Sequence, residues 1–385
     1  MSDTVLISTA EFVLKSQPVR QLLMRLLKRH LRFNLKRLGL EGSDIRPAGG
    51  FLVLGEFENA EPVAKDLSRT LGVAHADACE RTDADLDNIV EHVARLAEKR
   101  IKQDETFAVR ARNFEPTHLK GKEIEIRAGA EILSRLHNGI RVNLGNPDST
   151  LRVFYGREDA FVSAIRFDGI GGLPVGSQGS VLGMATDPAL SPLSFFLMMK
   201  RGAMVWPVIA ILPDLPGEAS LQKILGGLKM LKTFVPRKTY HAYRIEPDQD
   251  TLRALDTVDS SLRGTLSVRL AFRSIAHLAR IRGALGLTVA DCFGHAGPQK
   301  LGDLRMVDEV TRIPIYRPLL MLDSDTLNRQ LADLELLKLA KEREEEMTIH
   351  LPDSSMKRLR ELEDSIHADH LAQRIAGSHT KILIQ

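Results

Sequence analysis

The chain has 385 residues, 43% of them hydrophobic and 27% charged, and a formal net charge of +3, a composition typical of a soluble globular protein with two or three domains. Its two cysteines, Cys79 and Cys292, are too few for a disulfide framework or a cysteine-rich metal site, so we expect no metal. No apolar run is long enough to cross a bilayer, so we expect a cytoplasmic protein without membrane attachment.

Basic charge is concentrated at the start of the chain. Residues 4–9 predict a short strand, and Pro18 then suits the start of a helix whose leucines recur at helical spacing and which Gly39 ends. Residues 12–40 include eight basic side chains and no acidic one, which indicates a polyanionic partner. An ordinary solvated face is one alternative, and a membrane-surface helix is a weaker one because the core needs the leucines. We expect six of these residues, the N-terminal cations, to contact RNA phosphates: Lys15, Arg20, Arg25, Lys28, Arg29 and Arg32.

The elements that follow complete a small module. Residues 51–57 predict a strand and residues 60–71 a second helix. The order strand, helix, strand, helix is typical of a ferredoxin-like α+β module, which we assign to residues 1–78.

The next region carries a series of short motifs in a fixed order. Helices are predicted at 86–99 and 124–136, and strands at 106–112, 141–144 and 151–156. The segments FAVRARNF (107–114), EIEIRAGAEIL (123–133) and VNLGNPDSTLRVFYG (142–156) resemble a THUMP domain, which we assign to residues 79–172. The earlier EFVLKSQPVR (11–20) resembles the module that precedes THUMP in the tRNA 4-thiouridine synthetase family, the tRNA sulfurtransferases. The resemblance implies contacts with the tRNA acceptor region by His118 and by five residues, the THUMP cations, although each alone could be an ordinary surface residue: Arg110, Arg112, Lys120, Lys122 and Arg127.

From residue 180 onward apolar strands alternate with helices, which predicts a largely parallel sheet covered on both faces. The segment GGLPVGSQGSVLGMATDPALSPLSFFLMMKRG (171–202) resembles the entry into the PP-loop pyrophosphatase domain of the same family, an adenine nucleotide alpha hydrolase-like fold. The predicted fold is therefore α/β and multidomain, with this domain at 173–334. Residues 335–385 are predicted to form a charged helical segment, whose acidic cluster is Glu342, Glu344, Glu345 and Glu346.

The loop of that domain departs from the family pattern. Where family members carry S-G-G-x-D-S, this chain has Thr186, Asp187, Pro188, Ala189, Leu190 and Ser191. Such loops bind phosphate through backbone N–H groups at a helix start, which glycines help to expose. Asp187 adds a negative charge and Pro188 removes an N–H donor. We therefore expect a degenerate nucleotide loop that binds no cofactor.

Sulfur transfer in this family needs cysteine, and Cys292 is the candidate catalytic thiol in the relevant domain. It lies in the stretch 290–300, where family members carry G-E-S-L-G-Q-x-A-S-Q-T. We favour a buried cysteine there, and Cys79, placed in a linker region, is interpreted as structural. His295 near Asp291 suggests acid–base chemistry, but an ordinary polar loop is the favoured interpretation.

The favoured function is a tRNA-binding pseudoenzyme in or beside tRNA modification. It would bind tRNA or another structured RNA by shape, as a homodimer or with a sulfur donor or a tRNA-modifying protein as partner. One alternative is an active tRNA sulfurtransferase that makes 4-thiouridine using ATP and Mg²⁺ and an external sulfur donor. Another is an interaction protein that has lost RNA binding.

Overall fold

A computed structural model describes residues 3–12, 15–137, 139–215, 218–341, 348–349 and 355–384. The chain divides into two compact units, unit 1 (Met1–Pro174) and unit 2 (Val175–Gln385). The acidic cluster Glu342, Glu344, Glu345 and Glu346 lies outside the described residues. Within them, no helix combines the length and apolar character that a membrane span requires.

Unit 1 is a single eight-stranded sheet with four helices. The sheet order is β2-β3-β1-β4-β8-β7-β5-β6; β5 runs parallel to β6 and β7, and the other pairs are antiparallel. The elements are β1 (Asp3–Thr9), α1 (Gln17–Arg37), β2 (Asp44–Ala48), β3 (Phe51–Phe57), α2 (Ala60–Ser68), β4 (Val73–Asp83), α3 (Leu86–Arg100), β5 (Thr106–Asn113), α4 (Gly121–Arg135), β6 (Arg141–Val142), β7 (Ser149–Tyr155) and β8 (Asp159–Asp168).

Helix α1 follows its sequence pattern. Leu23, Leu27, Leu31 and Leu35 recur every four residues and are at most 2% exposed, so they form one buried face. Gly39 has φ +75°, a left-handed conformation that glycine adopts without strain, and its N–H donates to Lys36 O. The predicted helix is confirmed.

Strand β4 corrects the sequence prediction, which placed Cys79 in a linker. That placement was wrong, because β4 pairs with β1 on one side and β8 on the other in the middle of the sheet. Cys79 is 2% exposed. Because β4 contains several polar residues, its hydrophobicity pattern does not predict a buried strand. Asp77 is nevertheless fully buried, and its carboxylate accepts a hydrogen bond from Arg166 Nε at 2.9 Å.

The sheet of unit 1 curves until distant strands meet. Phe51 on β3 and Phe154 on β7 stand edge to face with ring centroids 5.2 Å apart, although three strands separate them in the sheet. Leu6, Cys79 and Phe161 are buried with them in the same cluster. The concave side is therefore a closed core, and the helices cover the other side through separate clusters.

Unit 2 is built on a six-stranded sheet of order β14-β12-β9-β10-β11-β16. The first five strands are parallel and β16 is antiparallel, so the predicted α/β fold with a parallel sheet is confirmed. The elements are β9 (Ser180–Met184), α5 (Leu190–Lys200), β10 (Met204–Ala210), α6 (Glu218–Leu228), a 3₁₀ helix (Lys229–Phe234), β11 (His241–Ile245), α7 (Gln249–Asp256), α8 (Ser260–Arg282), β12 (Leu287–Thr288), β13 (Gly297–Pro298), α9 (Leu301–Asp308), β14 (Ile315–Tyr316), α10 (Ser324–Asp333), α11 (Leu337–Lys341), β15 (Thr348–Ile349), α12 (Ser355–Ser365), α13 (Ala368–Gly377) and β16 (Thr380–Leu383).

The last helices pack into the core of unit 2. Leu359 of α12 and Ile375 of α13 are at most 1% exposed and share a cluster with Leu266 of α8. Glu363 of α12 receives two hydrogen bonds of 2.7 Å from Arg269 of α8, and these side chains are 4% and 1% exposed. A buried ion pair thus joins these helices to α8. The predicted domain boundaries at residues 78, 172 and 334 remain predictions.

Candidate functional site

The loop Thr186–Ser191 joins the carboxyl end of β9 to the start of α5. In parallel α/β sheets this position presents the N–H groups of a helix start to ligands, and phosphates bind there. Leu190 and Ser191 form the first turn of α5 and are fully buried, whereas Thr186, Asp187 and Pro188 are partly exposed.

The N–H groups of this loop donate to acceptors of the loop itself. Thr186 N and Asp187 N both donate to Ser191 Oγ at 3.0 Å. Ala189 N and Leu190 N both donate to Asp187 Oδ1, at 2.7 and 2.6 Å. Ser191 N donates to Asp187 O at 3.3 Å, and Pro188 has no N–H. The Asp187 carboxylate therefore holds the position of an anion at the start of α5.

The loop is also packed closely from one side. A Cβ atom built on Gly227, at the end of α6, would lie 1.8 Å from Pro188 O, so only glycine allows this approach. The carbonyl of Pro188 is therefore held against the backbone of α6.

A small cavity lies beside Thr186, between the ends of β9 and β12. Its volume is about 20 Å³, and a water molecule needs roughly 10–15 Å³, so it has room for about one water. Its lining residues are Met184, Thr186, Val268, Phe272, Val289, Ala290, Asp291, Pro298 and Val307.

The stretch 290–300 follows β12. Its Asp291 is bound by an arginine, Arg317, that the sequence analysis did not single out. Arg317 Nε donates to Asp291 Oδ2 at 2.7 Å, and Arg317 Nη1 donates to Asp308 Oδ2 at 3.0 Å. Burial raises the pKa of the Asp291 carboxyl, and the Arg317 charge opposes that rise. His295 lies 3.4 Å from Ser324 Oγ through Nε2. Asp291 is thus bound to Arg317, and no hydrogen bond between Asp291 and His295 is found in the described part of the chain.

Cys292 lies in the core. It is 0% exposed and belongs to a cluster with Leu193, Leu319 and Leu327. Its N–H donates to Ala296 O at 2.9 Å, which closes a tight turn. Reactive cysteines are usually partly exposed in electropositive surroundings, so this position favours the interpretation of a structural cysteine. Among the residues that the structure covers, no group of three or more His, Cys, Asp or Glu side chains could hold a metal ion.

The N-terminal cations form an uncompensated charged surface. Arg20, Arg25, Arg29 and Arg32 on α1 are exposed, as is Lys15 just before the helix, and Lys28 is half-buried. None of the six forms an ion pair with a carboxylate in the described ranges of the chain. Farther along the helix, Arg37 pairs with Asp66 at 3.2 Å.

The THUMP cations are exposed, and three of them form contacts within the chain. Arg127 pairs with Asp87 at 2.6 Å, and Arg110 donates to Leu144 O. The Arg112 guanidinium lies 5.0 Å from the centroid of the Phe51 ring, a cation–π contact. Lys120 and Lys122, at the start of α4, form no ion pair within the part of the chain described.

The comparisons with known proteins agree with this organisation. A family described as "Thiamine biosynthesis protein (ThiI)" matches residues 176–358, and the THUMP domain family matches residues 83–164. A probable tRNA sulfurtransferase from Geobacillus kaustophilus is 28% identical over 345 residues, 88% of this chain and 82% of the relative. One from Methanosarcina mazei is 25% identical over 330 residues, 85% of this chain and 81% of the relative.

Two solved structures share the fold. The crystal structure of a 4-thiouridine synthetase–RNA complex with bound ATP superposes with a TM-score of 0.80 at 19% identity and covers 100% of both chains. PH1313 from Pyrococcus horikoshii gives a TM-score of 0.67 at 21% identity, covering 87% of this chain and 100% of its own. With a THUMP domain followed by a ThiI domain, this chain resembles the tRNA 4-thiouridine synthetase family, the tRNA sulfurtransferases, over most of its length.

Proposed function

We propose that this protein binds tRNA, or an RNA of similar shape, in tRNA modification and does not itself activate a nucleotide. Support for the RNA partner comes from the THUMP match, from relatives that are probable tRNA sulfurtransferases and from the fold shared with a 4-thiouridine synthetase–RNA complex. The N-terminal cations supply the electrostatic part of the binding, because six positive charges on α1 and just before it have no described carboxylate partner and are exposed or half-buried.

The single observation that carries the second half of the proposal is the Asp187 carboxylate at the start of α5. It accepts from Ala189 N and Leu190 N, while Ser191 Oγ accepts from the other two N–H groups at the front of the loop. A phosphate would have to displace an anion that is covalently part of the loop and would then lie beside its charge. The adjoining cavity has room for about one water. ATP does not fit this arrangement, and we derive no chemical step through it.

Sulfur chemistry is disfavoured for a separate reason. A thiol that carries sulfur must reach both its donor and its substrate, and the Cys292 side chain is 0% exposed. The other cysteine, Cys79, is 2% exposed on the central strand β4, and burial raises the pKa of its thiol well above the ordinary value.

Thermal unfolding with ATP and Mg²⁺ tests the nucleotide half of the proposal. A ligand at about 100 times its Kd stabilises the folded state by about 2.7 kcal/mol, which shifts Tm by several degrees. We expect no shift for the natural chain. A matched variant, Asp187→Gly with Pro188→Gly, frees the N–H donors and is the control for a loop that could accept phosphate.

Two results would overturn the proposal. A saturable rise in Tm for the natural chain would favour the active ATP-dependent sulfurtransferase, as would 4-thiouridine formed by the purified protein with a sulfur donor. An absence of salt-dependent tRNA binding would instead favour an interaction protein without an RNA partner.

A further inference from the structure

A chain of aromatic rings lies on one face of the unit 2 sheet. Trp206 on β10 stacks on His241 of β11, with centroids 4.8 Å apart and ring planes at 30°. His241 stands edge to face with Tyr243 at 5.0 Å, and Tyr243 does the same with His379 at 5.5 Å. Trp206 is the sole tryptophan of the chain, and it and His241 are partly exposed. Tyr243 is 5% exposed and belongs to the core, where it supports His241 from below.

The rings share this face because of the strand register. Val208 pairs with Tyr243 in the parallel pair β10–β11, so the residues two positions earlier, Trp206 and His241, are also neighbours. These positions precede the carboxyl ends of the strands, where the Thr186–Ser191 loop lies after β9. The aromatic chain is therefore outside the candidate nucleotide loop.

Three cations surround the rings. The Arg237 guanidinium carbon lies 5.5 Å from the Trp206 centroid, and that of Arg282 lies 4.9 Å from the Tyr243 centroid. Lys381 on β16 pairs in register with Tyr243. All three are exposed, and none forms an ion pair with a carboxylate in the described part of unit 2.

His241 lies within the field of the same three cations. Burial lowers the pKa of its imidazole, and the charges of Lys381, Arg282 and Arg237 lower it further. Its Nε2 atom is buried and has no hydrogen-bond partner among the described residues. The neutral form of the ring is therefore favoured, and the ring supports Trp206 by stacking on it.

Aromatic rings beside cations that have no described carboxylate partner fit a ligand that has both flat apolar faces and negative charge. Single-stranded RNA has both, since its bases are free to stack and its phosphates follow the backbone. A duplex hides its base faces, and an acidic peptide would use the cations but not the rings. We propose that this surface, the unit 2 stacking patch (Trp206, His241, Arg237, Arg282 and Lys381), binds an unpaired segment of RNA. The inference rests on the proposed RNA binding and adds a second contact to it.

The sole tryptophan allows a direct test. Trp206 emission in the full-length protein is followed during titration with a single-stranded oligouridylate of about six nucleotides, at several salt concentrations. We expect saturable quenching that weakens with salt and is absent with a duplex of the same length. Arg237→Ala with Lys381→Ala should reduce the salt slope by about 1.4, because each phosphate contact to a single strand contributes about 0.7. Both side chains are exposed, so this variant should fold.

A control for charge is Arg244→Ala, which removes one positive charge from the neighbouring position of β11, pointing to the other face, where Arg244 is paired with Glu246. It should leave the quenching unchanged. If the oligonucleotide causes no quenching while tRNA still binds with a salt-dependent affinity, the patch is not an RNA contact and the proposed function stands. If tRNA also fails to bind, the proposed function itself fails. If Arg244→Ala and the patch variant lose quenching and salt dependence equally, the binding depends only on the net charge of the protein. That result would also overturn the inference.

Discussion

At the scale of single residues, Asp187 and His30 show how one buried or capping side chain decides a local property. Asp187 accepts from Ala189 N and Leu190 N at the start of α5, which places a carboxylate where such a helix start would present N–H groups to a phosphate. His30 on α1 is 2% exposed, and its Nε2 has no partner among the residues described. Burial and the nearby Arg29 lower the pKa of His30 from 6.5 to about 4.

His30 therefore makes unit 1 less stable in acid. The folded pKa lies below the unfolded one, so the unfolded chain binds more protons and the stabilisation is fully present above pH 6.5. It is lost as pH falls from 6.5 through about 4, by on the order of 3 kcal/mol. Urea unfolding of the natural chain and of His30→Leu across this range should show a smaller pH slope in the variant.

The control for this prediction is the same comparison between about pH 7.5 and 8.5. There His30 is neutral in both the folded and the unfolded chain, so the two slopes should coincide. Identical slopes between pH 6.5 and 4 would mean that His30 does not titrate in the way proposed.

At the scale of elements, α1 and α12 use charge in opposite ways. Helix α1 buries leucines on one face and presents five of the N-terminal cations on the other, which suits a partner outside the chain. Helix α12 places Glu363 in the core, where its carboxylate forms an ion pair with the buried guanidinium of Arg269. We expect charge on α1 to act in RNA affinity and charge on α12 to act in stability.

Replacing Arg25, Lys28 and Arg29 by alanine should weaken tRNA binding without unfolding unit 1, because none of these residues belongs to the buried face of α1. Each phosphate contact contributes about 0.7 to 0.9 to the slope of log K against log salt, so the slope should fall by about 2 to 3. Filter binding at several salt concentrations measures this slope. Arg25→Lys with Arg29→Lys keeps the charge and should keep the slope. An unchanged slope in the alanine variant would show that α1 is not the contact surface.

Glu363→Gln should destabilise unit 2, because it leaves the buried guanidinium of Arg269 without its bidentate carboxylate. Removing one partner of a buried ion pair costs about 3–5 kcal/mol, and urea unfolding measures it. Glu361→Gln on the same helix is the control, since Glu361 is exposed and should change stability by less than about 0.5 kcal/mol. A loss below about 1 kcal/mol for Glu363→Gln would mean that Glu309, the other carboxylate on Arg269, satisfies its charge.

At the scale of the whole molecule, the chain consists of two units with separate cores. Unit 1 closes its core within a curved sheet, and unit 2 covers a parallel sheet with helices that include the last ones of the chain. The proposed division of labour places the N-terminal cations and the THUMP match in unit 1, and the closed nucleotide loop and the stacking patch in unit 2.

Residues 1–174 expressed alone should fold. A chain of this length can bury enough apolar surface for a cooperative core, and the core clusters of unit 1 consist of its own residues. Urea unfolding followed by circular dichroism should give one cooperative transition, and the fragment should keep salt-dependent tRNA binding. A fragment that unfolds without cooperativity would contradict this prediction. A folded fragment that does not bind tRNA would indicate that the main RNA contact lies in unit 2.

The sequence by itself determined the elements whose pattern is local. The leucine repeat of α1 and the alternation of apolar strands and helices after residue 180 require only neighbours in the chain, so periodicity predicts them. The same holds for the altered loop Thr186–Ser191, which is visible as a departure from a family motif. The RNA contacts of the N-terminal and THUMP cations stay predictions.

The tertiary structure decided the features that depend on partners far away in sequence. Strand β4 has a polar sequence, and its Asp77 can be buried only because Arg166 on β8 pairs with it. Strand β8 is not among the strands predicted from the sequence. The burial of Cys292 and the pairing of Asp291 with Arg317 arise only when separate elements pack together. The stacking of Trp206 on His241 likewise needs the β10–β11 register. Local periodicity predicts which face of a helix or strand is apolar. Which distant side chains contact that face is determined only when the elements pack together.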